Sequence, residues 1–357
     1  MASLSRHMRL SPSLLLLSAS AATAFPSRYS NSGSHCASIS GDKTINSFQL
    51  YPENAAFDES RCSVYFSSVY NATVAVWDPY VNAVIDSIKF KGLSGDPILH
   101  ASGVKVDPLG RLSVVIDAGA AFDTEGQDIS GDNFLVKYDL KTRRELWRRN
   151  LTAITNGVYS GYQDIEHDEH GNTFVIGTFP SSIIRVSADN KQASAWYLAT
   201  PPDHTKHGFT GAVSVGDSLI VPDNVDGQLY KFNKRDKQGK PSKISLSSGK
   251  TPIGQGLDGA ILPPLYHGTV LLVSDNTNGT IVLHSADGKW NKARNVGSIA
   301  NKYLAAGGST VASLQIGSSI YSVTEYFGDA KVKGTLAGNR TQFPLHDITK
   351  QIADLLN

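Results

Sequence analysis

Two cysteines, two methionines and a formal net charge of +1 in 357 residues remove several kinds of protein at once. Two thiols cannot by themselves build a cysteine-based zinc site. A charge balance this close to zero gives no electrostatic reason to bind nucleic acid or an anionic membrane. No apolar run reaches the ~20 residues that a bilayer span needs, so no membrane span is expected. There is no Gly-x-Ser-x-Gly nucleophile elbow. Gly254-Gln255-Gly256-Leu257-Asp258-Gly259 has dinucleotide-type glycine spacing but opens no helix and lies in no βαβ unit, so it reads as turn chemistry. Gly249-Lys250-Thr251 lacks the upstream glycine of a phosphate loop. No cofactor is expected.

What is present begins with a secretory leader. Arg6, His7 and Arg9 form a basic region, Leu14 to Leu17 sit in a short apolar one, and Ala22-Thr23-Ala24 is a small-x-small cleavage site. Residues 1–24 thus read as a signal peptide with the mature start near Phe25; a short membrane anchor is the alternative. Four Asn-x-Ser/Thr sequons, at Asn71, Asn150, Asn278 and Asn339, agree with that route as glycosylation sites, though each alone is a weak signal. The predicted localisation is the secretory pathway, outside the cell or in an endomembrane lumen. There Cys36 and Cys62 would pair, tying the N-terminal arm to the first strands; two free thiols are the alternative. Residues 25–43 are rich in Ser, Gly and Asn and read as a loose arm.

From about Phe48 the chain repeats itself. Six stretches, starting near Glu53, Gly103, Gln163, Thr210, Asp258 and Leu304, each run from a small or polar start through a strand and an Asp/Gly turn into a Val/Ile-rich strand. Their spacing of about 45–60 residues is that of propeller blades. Third strands follow at Thr73 to Trp77, Asn133 to Tyr138, Ser182 to Val186, Gly227 to Phe232 and Thr280 to His284, and more polar fourth strands in several units. Four antiparallel strands repeated six times predict an all-β, six-bladed β-propeller over residues 44–357, because a blade cannot cover both of its faces alone. A strand near Thr44 to Leu50 is expected beside the last blade. Leu345 to Leu356 places Ile348, Ile352 and Leu355 at helical spacing and predicts a short terminal helix. The ring closes its own core, so a monomer is expected.

First strands of a propeller begin at one mouth of the axis, where side chains from different blades converge into a ligand pocket. Glu53, Ser102, Gln163, Thr210 and Asp258 stand at those starts. Candidate catalytic groups are Glu53, His100, Gln163 and Asp258. Candidate substrate contacts are Asn54, Tyr70, Tyr162, Phe179, Phe209, Tyr303, Glu325 and Tyr326. The aromatics have inter-blade packing as their plainer reading, and His100 a loop position. Asp223-Asn224 and Asp275-Asn276 read as turn-forming. The acidic loop from Asp123 to Asp132 reads as solvated, with calcium through Asp123, Glu125 and Asp128 the alternative. Glu166-His167-Asp168-Glu169-His170 falls at a strand turn, where most side chains should splay into solvent.

Two family resemblances follow. Glu53 in Pro52-Glu53-Asn54 and Asp258-Gly259 resemble the Glu and Asp-Gly of the senescence-marker/gluconolactonase propellers, which place a divalent metal on the axis with a Glu, two Asn and an Asp. Ser102 and Gln163 stand where the two Asn would be, so no metal ligand set is assigned here. More of the chain is similar to fungal propellers encoded in trichothecene and related terpenoid clusters, a group that takes in hetero-Diels–Alderases of tropolonic sesquiterpenoid pathways. The similarity lies in Leu50-Tyr51-Pro52-Glu53-Asn54, Val69 through Tyr80, and Ser130-Gly131-Asp132-Asn133. It implies fungal secondary metabolism, with a terpenoid or polyketide intermediate as the small-molecule partner. The activity it implies is cofactor-independent cyclisation, a hetero-Diels–Alder closure joining a terpene alkene to a tropolone-type quinone methide. A metal-dependent lactonase and a non-enzymatic secreted ligand-binding propeller are the alternatives.

Overall fold

Each repeat folds into one antiparallel sheet, and there are six of them. The computed structural model describes residues 36–247 and 252–357. The expected leader, the arm up to residue 35 and Gly249-Lys250-Thr251 lie outside the described residues. Blades 1 to 3 begin with Pro52–Asp58, Leu99–Val106 and Ser160–His167, and blades 4 to 6 with Val213–Val215, Leu257–Ile261 and Ser309–Ile316. Neighbouring first strands contact one another around the axis, except that the first strand of blade 5 meets the second strand of blade 4, Ser218–Asp223. Blade 6 is completed by the N-terminal strand Lys43–Asn46, which pairs with Gln342–Asp347. The ring is thus closed by hydrogen bonds between the two ends of the chain, which leaves few open edges. Blade 5 carries a fifth, two-residue strand, Ser245–Leu246, parallel to Lys292–Ile299.

Strand alternation explains how the ring holds. Successive residues point to opposite faces, and here each face belongs to a different neighbour. In blade 2, Val114 and Ile116 join the apolar cluster shared with blade 1, while Val115 joins that shared with blade 3. In blade 3, Phe174 and Ile176 face blade 4 while Val175 faces blade 2. The same division in the other blades gives six apolar clusters, one at each inter-blade boundary, and no single central core. Burial of each large apolar side chain contributes roughly 1.5–3 kcal/mol.

At the ends of the chain the expected disulfide is present, while the arm and the terminal helix differ in detail from expectation. Cys36 and Cys62 are disulfide-bonded, compatible with an oxidising compartment. The described part of the arm is held rather than loose: Tyr80 donates to the Ala37 carbonyl (2.8 Å) and Tyr321 to that of Ile39 (3.0 Å), and the Gly41 amide donates to Asp347 (2.7 Å). The terminal helix is shorter than predicted, Thr349–Leu356, because residues 342–347 are claimed by the third strand of blade 6. Ile348 and Ile352 pack it against blade 5. No helix among the described residues is long and apolar enough to cross a membrane.

Candidate functional site

All six first strands carry one residue too many. Pairing with the second strand steps by one between Pro52 and Ala55, Ala101 and Val104, Tyr162 and Asp164, Leu257 and Ala260, and Thr310 and Ala312. In blade 4 the step falls between the Phe209–Asp223 bridge and the Val213–Ile220 pair. A β-bulge re-aims the side chains beside it. Here the bulges lie at the starts of the first strands, and they bring Glu53, Ser102, Gln163, Thr210 and Asp258 to one mouth of the axis. Glycine follows three of these residues because the next blade is too near for a Cβ: one at Gly103 would stand 2.9 Å from the Gln163 carbonyl, at Gly211 2.8 Å from that of Asp258, and at Gly259 2.8 Å from that of Val311.

The mouth encloses about 310 Å³. Its walls are Val69, Tyr70, His100, Phe122, His207, Leu257 and Phe327, and its polar floor is Glu53, Ser102, Asp117, Gln163, Thr210, Asp258 and Asn276. The floor is crowded with acid. Burial, then the charges of Asp258, Glu325, Asp117 and Asp164, push the Glu53 carboxyl well above the usual range. Burial raises Asp117 and Asp258 to about 7 each and Asp164 to about 6. Glu325, driven up chiefly by burial, is wholly buried just outside the lining. Like charges this close cannot all ionise, so at neutral pH several of these acids carry a proton.

Their hydrogen bonding is incomplete. Glu53 Oε2, Asp117 Oδ2 and both oxygens of Glu325 are shielded from solvent and have no partner among the described residues. Ser102 Oγ lies 2.8 Å from Asp117 Oδ1 and 2.9 Å from the Tyr162 carbonyl, with one proton to share between them. Asn276 donates to Asp258 (2.7 Å), and Gln163 donates to Thr178 (2.9 Å). His100 meets Tyr70 edge-on at 5.4 Å, and burial holds its imidazole below the ordinary value. Gly119 leaves room for that ring, since a Cβ there would stand 2.3 Å from it.

Of the candidates read from the sequence, Glu53, Tyr70, His100, Gln163 and Asp258 line this mouth. Asn54 lines the opposite end of the axis. Tyr162 and Phe209 are buried in inter-blade clusters, the packing role that alternation assigns them. Phe179 is buried behind the wall, edge-on to Phe122 and His207. Tyr326 lies in the cluster between blades 6 and 1 with Arg340 stacked 3.4 Å over its ring, and Tyr303 is half-buried beside Lys302. Asp117, Asp164, Phe122, His207 and Phe327 were not read from the sequence. The signal for Asp117 was a carboxyl recurring at the end of second strands: Asp117, Asp223, Asp275 and Glu325. Asp223 and Asp275 do form turns, accepting from Val225 and from Thr277 and Asn278.

The donor set at the mouth differs from the Glu, two Asn and Asp of the axial metal expected from the gluconolactonase resemblance. At the two Asn positions stand Ser102, whose hydroxyl is shared between Asp117 and the Tyr162 carbonyl, and Gln163, whose NH2 donates to Thr178. Among the described residues no three of His, Cys, Asp and Glu come together as a metal-holding group. Asp123 and Glu125 of the calcium candidate line the mouth, while Asp128 accepts the Ser130 amide. The Glu166 to His170 run divides differently from expectation. Glu166, His167 and Asp168 are buried, held by Lys105, Ser113 and turn amides, while Glu169 and His170 are exposed. Asn278 and Asn339 are exposed; the Asn71 amide donates to the Gln49 carbonyl (3.2 Å) and that of Asn150 to Asp132 (2.9 Å).

Known proteins resemble this chain over most of its length. A core trichothecene cluster protein 14 of Fusarium sporotrichioides is 37% identical over 87% of this chain and 86% of its own. A trichothecene biosynthesis protein 14 of Trichoderma arundinaceum is 34% identical over 88% and 90%. Among solved structures, the major Malassezia sympodialis allergen Mala s 1 superposes with a TM-score of 0.73 at 20% identity, over 87% of this chain and 96% of that one. The model of the Mal s 1 allergenic protein-like family matches residues 36–260, which hold five of the six bulges just described, and the chain belongs to that family.

Proposed function

We propose that this protein is a cofactor-independent cyclase of fungal secondary metabolism, closing a ring in a sesquiterpenoid-class intermediate at the axial mouth. The observation that carries this reading is the floor of sheltered, part-protonated carboxyls beneath an aromatic wall. The fungal relatives named for trichothecene biosynthesis supply the pathway class. Holding two reacting groups in attack geometry can lower the barrier by up to ~7–11 kcal/mol. A neutral carboxylic acid aimed at a developing oxyanion or leaving oxygen adds a donor, and general acid catalysis supplies typically ~10²–10⁴-fold.

Two closures use these groups. In a hetero-Diels–Alder addition of a terpene alkene to a quinone methide, Glu53 or Asp117 donates to the carbonyl and no net proton moves. In a dehydrative closure one substrate hydroxyl attacks carbon as another departs. A neutral carboxyl protonates the departing oxygen, a neighbouring carboxylate accepts the proton of the attacking one, and one water leaves. Acids poised near pH 7 in both protonation states favour the second, since a pericyclic step needs donors but no proton acceptor.

The test compares metabolite profiles of the producing organism with and without the gene, then adds purified protein to whatever accumulates. An uncyclised or misclosed precursor should build up, and the protein should convert it without added metal or nucleotide. The reading is abandoned if pure protein changes neither the rate nor the stereochemistry of closure. Alanine at both Glu53 and Gln163 separates it from a non-enzymatic binding role, which predicts no loss of product. A chelator separates it from a lactonase.

A further inference from the structure

The axis has a second chamber at its far end, enclosing about 380 Å³ and walled by all six blades. One cross-axis bond lies between it and the mouth. Asn54 donates to Asp164 Oδ1 (3.2 Å), the same oxygen takes the Ile165 amide (2.7 Å), and Asp164 Oδ2 takes the Ala212 amide (2.8 Å). Asp164 is therefore spent on the partition.

Beyond the partition the polar groups are not all spent. Lys105 donates to Glu166 Oε2 (2.6 Å), and Glu166 Oε1 takes the His167 amide (2.9 Å). An ammonium has three protons to donate, and this is the one hydrogen bond the Lys105 ammonium makes among the described residues. Ser313, 2% exposed, lines the same chamber, and its hydroxyl has no partner among the described residues. Phe57, Val104, Val106, Ile261 and Leu314 make up much of the remaining wall, with Glu59, Ser214 and Gln315 its other polar residues.

Charge decides what these spare donors suit. Lys105 already faces Glu166 and Asp164, which hold its pKa above the ordinary value although burial works against it. A ligand carboxylate or phosphate would bring a third negative charge to one ammonium, and a cation would meet Lys105 itself. An uncharged oxygen acceptor meets neither penalty. We propose that the far chamber is a second ligand site, for a compact, apolar, uncharged molecule whose carbonyl or ether oxygen is held by Lys105 and Ser313.

Camphor, a compact neutral ketone, and ketopinic acid, the same skeleton with a carboxylate in place of a methyl group, are suitable probes. In methyl-labelled protein, Val104, Val106 and Leu314 report on the far chamber, and Val69 and Leu257 on the mouth. Camphor should shift the far-chamber methyls saturably, with ketopinic acid at least tenfold weaker. Lys105→Met combined with Glu166→Gln, which removes both members of the ion pair, should weaken camphor at least tenfold, and Ser313→Ala three- to fivefold. Equal binding of the two probes, shifts confined to Val69 and Leu257, or camphor affinity unchanged within twofold in the double variant would overturn the proposal. If the double variant does not fold, Ser313→Ala decides, and unchanged affinity there overturns it. None of these readouts depends on ring closure at the mouth.

Discussion

Two buried polar clusters in this molecule are handled in opposite ways. Between blades 2 and 3, Lys137, wholly buried, donates to Asp107 (3.1 Å), Ser113 (2.5 Å) and Thr173 (3.2 Å), and Asp107 also takes Arg111 at 2.8 Å. Burial works against the Asp107 carboxylate, yet Lys137 and Arg111 hold it below the usual range. His167 lies 2.8 Å from Ser113, forced neutral by burial and by the cations around it. At the mouth, by contrast, carboxyl groups face one another with oxygens unpartnered. A buried charge with its partner specifies how two blades pack. A buried acid without one is costly to keep and gains its use when a substrate supplies the missing partner.

The largest way to break this comparison is Lys137→Met. It leaves Asp107 buried with half its countercharge, and removing one member of a buried pair costs roughly 3–5 kcal/mol. Urea unfolding should show that loss, with activity per folded molecule unchanged. Glu53→Gln should behave in the reverse way. It removes an acid from a crowd of acids, so stability should hold or rise by about 1 kcal/mol. Turnover should fall by roughly 10²–10³-fold, the usual loss on removing one well-placed donor. Equal destabilisation by both variants would erase the distinction.

How far the sequence reveals each cluster follows from how each is built. The six blades are legible because alternation and turn residues are local, and Glu53, Gln163 and Asp258 follow once the strand starts are placed. The bulges are not legible. A one-residue step in pairing depends on the second strand and on how near the next blade comes, as the 2.9 Å approach at Gly103 illustrates. Without the bulges there was no reason to set Asp117, at the end of a second strand, beside Glu53. Lys137 was hidden differently. A lysine in Phe134-Leu135-Val136-Lys137-Tyr138 resembles any strand lysine until Asp107 arrives from another strand. Tyr162 and Phe209 sit at the predicted strand ends, but alternation turns their rings between blades.

Titration separates the clusters again. Asp117 and Asp258 rise from 3.8 to about 7 on folding, so the folded state binds their protons more tightly. Their contribution is fully present below the unfolded value and is lost as pH climbs through about 7, roughly 2 kcal/mol per group between pH 5 and 7. His167 is shifted down, so its contribution runs the other way, and stability is lost as pH falls below 6.5. Urea midpoints across pH 5–8 should therefore decline less steeply with rising pH in Asp117→Asn, and more steeply in His167→Gln. Parallel curves in both variants would mean that neither group carries the dependence.

The smallest effect tests how tightly the mouth is fitted. Gly119 has an ordinary negative φ of −61°, so nothing in its backbone demands glycine. The reason for the missing side chain is the His100 ring, 2.3 Å from where a Cβ would stand. Gly119→Ala must push that imidazole off its edge-on contact with Tyr70 while leaving every carboxyl in place. A catalytic group displaced by a fraction of an ångström loses attack geometry before it loses binding, so kcat should fall about tenfold with KM nearly constant. The Lys137 cluster lies between other strands and should not register the change, so the pH dependence assigned to His167 should be unaltered. If kcat is kept instead, His100 is a wall of the pocket, and the chemistry rests on the carboxyls alone.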